Sequence, residues 1–112
     1  MDSFDNWTTQ VRKGILEYCI LNALKEQERY GYDLVSTLVS IPGLGVTEGT
    51  IYPLLSRLRV QKLVSTKLVE SANGPARKYY SLTEEGKKMV DLMESYLDKL
   101  MKGARSLRIK GE

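Results

Sequence analysis

The stretch at residues 73–86, NGPARKYYSLTEEG, decides the fold of the chain. Its first three residues, Asn-Gly-Pro, predict a turn, because these residue types favour turn geometries and interrupt regular backbone. Arg77 and Lys78 then stand before two tyrosines, which favours a strand with a basic and aromatic surface. Thr83 precedes two glutamates, the pattern of a capped helix start. A turn, a basic strand and a helix are therefore expected in direct succession.

Three helices are predicted upstream of this stretch. The first covers residues 8–27 with Thr8 or Thr9 as its cap, and its second half is apolar almost all round. Such a helix must be covered on two sides, for which a chain of 112 residues has little material without a partner subunit. The second helix begins at Gly31, and the third is capped by Thr47.

Two strands and a long last helix complete the prediction. The strands, residues 63–70 and 77–82, flank the turn, and the connection is long enough to favour a protruding loop over a tight hairpin. The last helix follows Thr83 and runs to about residue 102. Its apolar residues recur at steps of four, three and four, the spacing of a coiled-coil-like seam, at Met89, Met93, Tyr96 and Leu100. This seam indicates packing against another subunit.

The order helix, helix, helix, strand, strand, helix predicts a winged helix-turn-helix with one further helix. The expected fold class is mainly α with a small β-hairpin. Residues 1–82 form the expected DNA-binding domain, including an N-terminal dimerisation helix, and residues 83–112 form a C-terminal dimerisation helix and a basic tail. The recognition helix, about residues 47–61, is expected to enter the major groove, while the wing, about residues 63–82, reaches the backbone or minor groove.

The recognition helix and the wing carry residue types that suit double-stranded DNA. Hydroxyl groups cluster near the helix N-terminus, whose free amides also favour phosphate, and a glycine permits close approach of the backbone. The residues expected at DNA here are Thr47, Gly49, Thr50, Tyr52, Arg57, Arg77 and Lys78. In the structural alternative, Thr47 only caps the helix and Gly49 is a tolerated defect. Few residues that read base edges are present, so phosphate contacts and DNA shape are expected to matter more.

The charge pattern also indicates a polyanionic partner. The net charge is +3, but residues 57–88 carry +5 and residues 99–112 carry +4. Residues 1–56 and residues 89–98 each carry a net charge of −3. Basic blocks beside an acidic body favour binding to a polyanion, although an ordinary solvated surface would explain the charges taken alone.

Several classes of function are disfavoured by composition. The sequence contains no histidine and one cysteine, Cys19, which removes imidazole-assisted nucleophiles, cysteine-rich metal sites and internal disulfides. We therefore expect that the protein is not an enzyme and that it has no catalytic residue, no metal and no cofactor. No apolar run is long enough to span a membrane, and the N-terminus is polar and acidic, so we expect a cytoplasmic protein without a membrane partner.

The terminal helices supply the expected dimer interface and a candidate effector site. Apolar residues in excess of what one small core can use are expected between two subunits, at Ile15, Cys19, Met93, Tyr96, Leu97 and Leu100. An effector, if present, would meet aromatic and flexible residues near the same interface, at Trp7, Met89, Met93 and Tyr96. The alternative is that the methionines belong to the core and that Trp7 packs against a helix end.

Three motifs, in this order and spacing, carry a resemblance to a known family: YGYDLVSTL at residues 30–38, TEGTIYPLLSRL at 47–58 and GPARKYYSLTEEG at 74–86. Together they resemble the PadR family of bacterial transcriptional regulators, and the short C-terminal part resembles its small subgroup. The resemblance covers roughly residues 12–100. It implies a homodimeric winged-helix repressor on a pseudo-palindromic operator, with terminal helices at the dimer interface. Release by a small aromatic or drug-like molecule is also implied.

One residue departs from the family pattern. Members of the family often end the recognition helix with glycine, whereas this chain reads LRVQKLV at residues 58–64, with Lys62 at the glycine position. A lysine there either changes the helix end or tolerates a positive φ, and it adds a cation near the expected DNA backbone. The alternative to a repressor is a winged-helix protein-interaction module that does not bind DNA.

Overall fold

The computed structural model describes residues 2–108, in which helices pack around a three-stranded antiparallel sheet. In chain order the elements are α1 (Ser3–Ala23), β1 (Arg29–Tyr30), α2 (Gly31–Val39), α3 (Glu48–Val60), β2 (Val64–Ser71), β3 (Gly74–Leu82) and α4 (Glu84–Arg105). The strands lie in the order β1-β3-β2, so β3 is central. The predicted winged helix-turn-helix with a further helix is confirmed, with the short strand β1 added to the predicted hairpin.

The first helix begins earlier than predicted, and its cap is different. The side chain of Asp2 accepts a hydrogen bond from the Asp5 amide at 2.8 Å, and Asp2 is therefore the N-cap. Thr8 and Thr9 are inside the helix, where both hydroxyls donate to the Asp5 carbonyl oxygen. The prediction that either threonine caps α1 was wrong, because threonines within a helix can also bond back to the preceding turn. Trp7, predicted to precede the helix, also lies inside it.

The core lies where α1, α2 and α3 meet the sheet and the start of α4. Its buried apolar residues come from every helix and from the base of the hairpin: Leu16, Ile20, Leu21, Leu24, Leu34, Val35, Leu38, Leu44, Ile51, Leu55, Leu58, Val64, Tyr80 and Val90. The second half of α1 is covered on one side by this core. On its other side, Tyr18 donates to Glu94 at 3.1 Å and Lys25 pairs with Asp91 at 3.1 Å, both on α4. The N-terminal half of α1 extends beyond this cover.

The wing is a tight hairpin, not the protruding loop that was expected. Ser71 pairs with Gly74, which leaves two connecting residues, and β3 begins three residues before the predicted start. Pro75 is tolerated in β3 because the pairing with β2 is irregular between Val69 and Ser71, and a proline without an amide proton fits such an irregularity. The sequence-based prediction treated the proline as part of the turn and so made the turn too long.

The end of α3 closes through a left-handed residue. Lys62 has a φ of 64°, its amide donates to the Arg59 carbonyl, and the Leu63 amide donates to the Leu58 carbonyl. This pair of bonds is a Schellman motif, whose left-handed position usually holds glycine. Of the two possibilities raised by the sequence, the helix therefore keeps an ending typical of glycine and tolerates the positive φ.

The start of α4 is fixed against this helix ending. The Thr83 hydroxyl caps α4 by accepting from the Gly86 amide at 3.0 Å and donates to the Lys62 carbonyl at 2.6 Å. The Thr83 amide donates to the Leu63 carbonyl. Gly86 is buried, and a Cβ atom there would overlap the Leu63 carbonyl oxygen. The first turn of α4 can approach the α3–β2 connection this closely only with glycine at position 86.

Substitution of Gly86 by alanine is expected to lower the free energy of unfolding by at least about 2 kcal/mol, because backbone must move to admit the methyl group. Gly103→Ala is the matched control on the same helix, where an added Cβ meets no atom within 4 Å. We expect the control to stabilise by about 0.5–1 kcal/mol through higher helix propensity. Urea unfolding of both variants at equal protein concentration measures the difference, and similar effects for both would refute the close contact.

Substitution of Lys62 by glycine is expected to raise the free energy of unfolding by about 0.5–1 kcal/mol, because the steric penalty of the left-handed backbone exceeds the entropic penalty of glycine. Lys62→Ala removes the same charge but keeps the Cβ atom, so we expect little change in stability. The comparison in urea separates backbone strain from charge. Equal stability of the glycine and alanine variants would show that position 62 is unstrained.

Candidate nucleic-acid interface

The residues predicted on the recognition helix lie on two sides of α3. Thr50 and Arg57 face the middle of α1, where they line a groove with Lys13 and Glu17. Tyr52 is on the opposite side and faces the start of α2 and the strand β3. Residues two apart on a helix point in different directions, so Thr50 and Tyr52 cannot contact the same phosphate group.

Arg57, one of the predicted DNA contacts, also makes a contact within the fold. Its guanidinium forms an ion pair with the Glu17 carboxylate of α1, which holds α3 to α1 across the groove. Both side chains are partly exposed, so the pair stabilises the fold only modestly. The assignment of Arg57 to DNA remains a prediction, and any contact would have to compete with Glu17.

The N-terminus of α3 is open. Thr47 occupies the N-cap position, but its side chain makes no cap hydrogen bond, so capping alone does not account for its hydroxyl. Gly49 is exposed, and an added Cβ would meet only the Thr47 hydroxyl oxygen at 3.7 Å. Packing within the chain therefore does not require glycine at position 49. Pro53 has no amide proton to donate to the Gly49 carbonyl, which loosens the first turn of the helix.

Tyr52 lies in a cleft of about 400 Å³ between the start of α2, the middle of α3 and the strand β3. We call it the tyrosine cleft, and it is lined by Tyr30, Gly31, Tyr32, Tyr52, Ser56, Lys78 and Tyr80. Gly31 forms part of its floor, since an added Cβ would stand 3.0 Å from the Tyr80 ring. Only Tyr52 and Lys78 of this set were among the predicted DNA contacts. The two tyrosines on either side of Gly31 were the sequence signal from which more residues of the cleft could have been predicted.

The two predicted cations of the wing point to opposite faces of β3. Lys78 shares a face with Tyr80 and reaches the tyrosine cleft. Arg77 lies on the other face, with its guanidinium carbon 4.8 Å from the centre of the Tyr30 ring. The Tyr30 ring is also 5.8 Å from that of Tyr79 and 6.3 Å from that of Tyr32. A cation over an aromatic ring is attracted to it, so Arg77 helps to hold the wing against the start of α2.

Two further cations lie beside the recognition helix and were not predicted. Arg12 and Lys13 of α1 line a groove with Thr47 and Thr50. The Arg12 guanidinium lies over Gly45 and donates to the hydroxyl of Thr9 at 3.2 Å. The sequence separation of more than thirty residues hid this proximity. Lys62 is exposed at the opposite end of α3, as expected for an added surface cation.

The residues predicted at the dimer interface and effector site lie outside the core or at its edge. Ile15, Cys19, Met93 and Leu97 are half-buried, whereas Tyr96 and Leu100 are 65% and 50% exposed. Burial raises the pKa of the Cys19 thiol, in keeping with an inert side chain.

Trp7 is 62% exposed and stacks on Phe4, with ring centres 6.2 Å apart. The clefts described in this section are not lined by Trp7, Met89, Met93 or Tyr96.

Acidic side chains do form one groove, between α1 and α4. It measures about 860 Å³ and is lined by Tyr18, Asp91, Glu94, Ser95, Leu97, Asp98, Met101 and Arg105. Among residues 2–108, no group of three or more metal-binding side chains has the arrangement of a metal site. No helix in the same range is both long and apolar enough to cross a bilayer.

Comparisons with known proteins agree with this geometry. The model of the "Transcriptional regulator PadR-like family" matches residues 20–91. A PadR-like transcription factor from Bacteroides fragilis is 40% identical, with a TM-score of 0.75, and the match covers 92% of this chain and 99% of that one. A PadR-like transcriptional regulator from Bacillus cereus is 37% identical, with a TM-score of 0.79 and the same two coverages. An uncharacterised protein from Lysinibacillus sphaericus is 27% identical over 96 residues, which is 84% of this chain and 82% of the relative.

Proposed function

The chain belongs to the PadR-like family of transcriptional regulators, and on that premise we propose that it is a homodimeric repressor. It binds a pseudo-palindromic operator through α3 and through the wing formed by β2 and β3. The observation that carries the proposal is the position of Tyr52 and Lys78, which share one cleft between the recognition helix and the wing. A duplex lying across both elements would meet them together.

The unpartnered faces of the terminal helices support a dimer. The described chain is 66 Å long in its longest dimension, because α1 and α4 extend past the core. Large apolar side chains on these extensions are 42–68% exposed, and they are Phe4, Trp7, Val11, Leu92, Tyr96, Leu100 and Met101. Apolar side chains grouped in this way along two adjacent helices are typical of an interface with another copy.

The charges of α4 support one orientation of the two copies. Residues 89–98 carry three acidic and no basic side chains, whereas residues 99–105 carry three basic and no acidic ones. An antiparallel pair of α4 helices places the acidic half of each copy beside the basic half of the other. A parallel pair would place like charges together. We therefore propose that the two α4 helices are antiparallel in the dimer.

The proposal also includes a small-molecule effector that controls DNA binding. Small aromatic or drug-like molecules would bind beside the dimer interface and release the operator. Support comes from the exposed aromatic side chains of Trp7 and Tyr96 on the two terminal helices. Met89 and Met93 line the edge of the core on α4, where flexible side chains can adapt to different ligands.

The wing cations provide the test of DNA binding. Arg77→Ala and Lys78→Ala are each expected to weaken binding to the chain's own upstream DNA and to an unrelated duplex alike. Each should also reduce the slope of log affinity against log salt by about one, for one lost phosphate contact. Lys87→Ala is the matched control, because Lys87 is an exposed cation on the first turn of α4 that pairs with Glu84.

Fluorescence anisotropy over a series of salt concentrations measures affinity and slope for all four proteins. If the unmodified protein shows no salt-dependent binding to either duplex, the protein-interaction alternative replaces the repressor. If it binds but both alanine variants keep its affinity and slope, the wing does not contact phosphate.

A charge in the interface provides the test of assembly. Leu97→Glu is expected to convert the dimer to monomers or aggregates, because a carboxylate buried without a partner is very unfavourable. Leu68→Glu is the matched control, since Leu68 is 70% exposed on the wing, away from α1 and α4. Light scattering after size exclusion should find a dimer for the unmodified protein and for the control. A monodisperse monomer of the unmodified protein would end the dimer proposal.

A further inference from the structure

The lining of the tyrosine cleft has an unusual composition. It contains four phenol groups, one serine hydroxyl and one ammonium group, and it contains no carboxylate. By contrast, the groove between α1 and α4 is lined by three carboxylates. The tyrosine cleft therefore offers hydrogen-bond donors and positive charge, in contrast to the acidic groove between α1 and α4. A ligand with these preferences is an anion that can accept several hydrogen bonds.

The pKa values of two phenols of the cleft, Tyr52 and Tyr80, are raised. Burial is the main cause that raises the pKa of Tyr52, and the nearby carboxylate of Glu48 raises it further. Burial also raises the pKa of Tyr80, while the charge of Arg59 acts in the opposite direction. Both shifts favour the protonated hydroxyl, the form that can donate a hydrogen bond to an anion.

Tyr80 adds a hydroxyl that is not used within the chain. Its side chain is only 7% exposed, and its hydroxyl makes no hydrogen bond to any of the described residues. Tyr80 is one of the residues that line the tyrosine cleft. Among the described residues, no buried side-chain polar atom lacks a hydrogen-bond partner, so the Tyr80 hydroxyl is accessible from the cleft and free to donate to a group that enters it.

The start of α2 adds donors at the same place. Tyr30 is the N-cap residue, and no side chain caps the first amides of the helix. Gly31 and Tyr32, the first two residues of α2, both line the cleft. The first amides of a helix and the positive end of its dipole favour an anion, above all a phosphate group, although Asp33 in the first turn of α2 already supplies one negative charge here.

We propose that the tyrosine cleft binds a single phosphodiester group of the DNA backbone. Lys78 supplies the charge, the hydroxyls of Tyr52 and Tyr80 donate hydrogen bonds, and the start of α2 completes the site. This inference rests on the proposed function, because the cleft lies between the recognition helix and the wing. It assigns to Tyr80, a core residue by burial, a direct contact with DNA.

Tyr80→Phe and Tyr52→Phe are the variants that test the proposal, since each removes one hydroxyl and retains the ring. Each is expected to weaken binding to operator and random-sequence duplexes by about tenfold or more, the usual effect of losing a hydrogen bond to a charged acceptor. The salt slope should not change, because no charge is lost. Tyr79→Phe is the matched control, because Tyr79 neighbours Tyr80 but points to the opposite face of β3.

Stability separates contact with DNA from a structural role. The Tyr80 hydroxyl makes no hydrogen bond to another described residue, so Tyr80→Phe should unfold at about the same temperature while binding DNA more weakly. A lower unfolding temperature with unchanged DNA affinity would overturn the proposal. So would equal affinities for the unmodified protein, Tyr80→Phe and Tyr52→Phe.

A buffer comparison distinguishes the DNA backbone from free phosphate as the source of the bound group. Exchanging chloride for inorganic phosphate at equal ionic strength should weaken binding of the random duplex by the unmodified protein more than by Tyr80→Phe, because the free anion competes with the backbone for the cleft. If the unmodified protein binds inorganic phosphate without DNA and Tyr80→Phe does not, while both bind the duplex equally, the cleft is a site for the free anion and the assignment to the backbone is overturned. If the unmodified protein binds no duplex at all, this inference fails together with the proposed function; if it binds, the two are tested separately.

Discussion

The contact of Gly86 with the carbonyl oxygen of Leu63 is the constraint on which the rest of the structure depends. Around it, the Thr83 hydroxyl and amide bond to the carbonyls of Lys62 and Leu63. Four elements meet here, because α3 ends, β2 begins, β3 ends and α4 begins within a few residues of one another. The angle of the wing to the recognition helix and the direction of α4 are therefore set by the same few hydrogen bonds.

This arrangement separates two chemically different surfaces. On one side, α3, the start of α2 and the wing present hydroxyls and cations around the tyrosine cleft. On the other, α1 and α4 present exposed apolar side chains beside an acidic groove. The Arg57–Glu17 ion pair joins the two, since it ties the recognition helix to the helix that carries part of the apolar surface. The proposed binding of DNA and of a second copy requires this separation, because apolar contact and phosphate contact require opposite surroundings.

The order of elements could be predicted because each start or stop has a local chemical signal. Thr83 and Gly31 mark helix starts in the sequence and in the structure. Local signals gave a wrong prediction where one residue type suits two positions. The hydroxyl of Thr8 could cap a helix, but it bonds back to the preceding turn within one.

The candidate site was predicted less completely than the fold, since its residues come from distant segments. Tyr30, Ser56 and Tyr80 meet at one cleft only after the sheet has formed. Arg12 reaches the start of α3 in the same way. Neighbours in sequence can also lie apart in the structure. Arg77 and Lys78 are adjacent, but the pleat of β3 places their side chains on opposite faces.

Because α4 is long and anchored at its start, a small rotation at that end gives a large displacement at the other. The helix has 22 residues and is therefore about 33 Å long, with one end fixed at Gly86 and the other beyond the core. A tilt of about 5° at the anchored end displaces the far end of a rod of that length by about 3 Å. In reverse, a displacement of a few ångströms among the exposed side chains near Tyr96 and Leu100 becomes a small rotation at the base of the wing. A displacement at the apolar surface is thereby reduced in amplitude when it reaches the base of the wing, the hairpin that we propose contacts DNA.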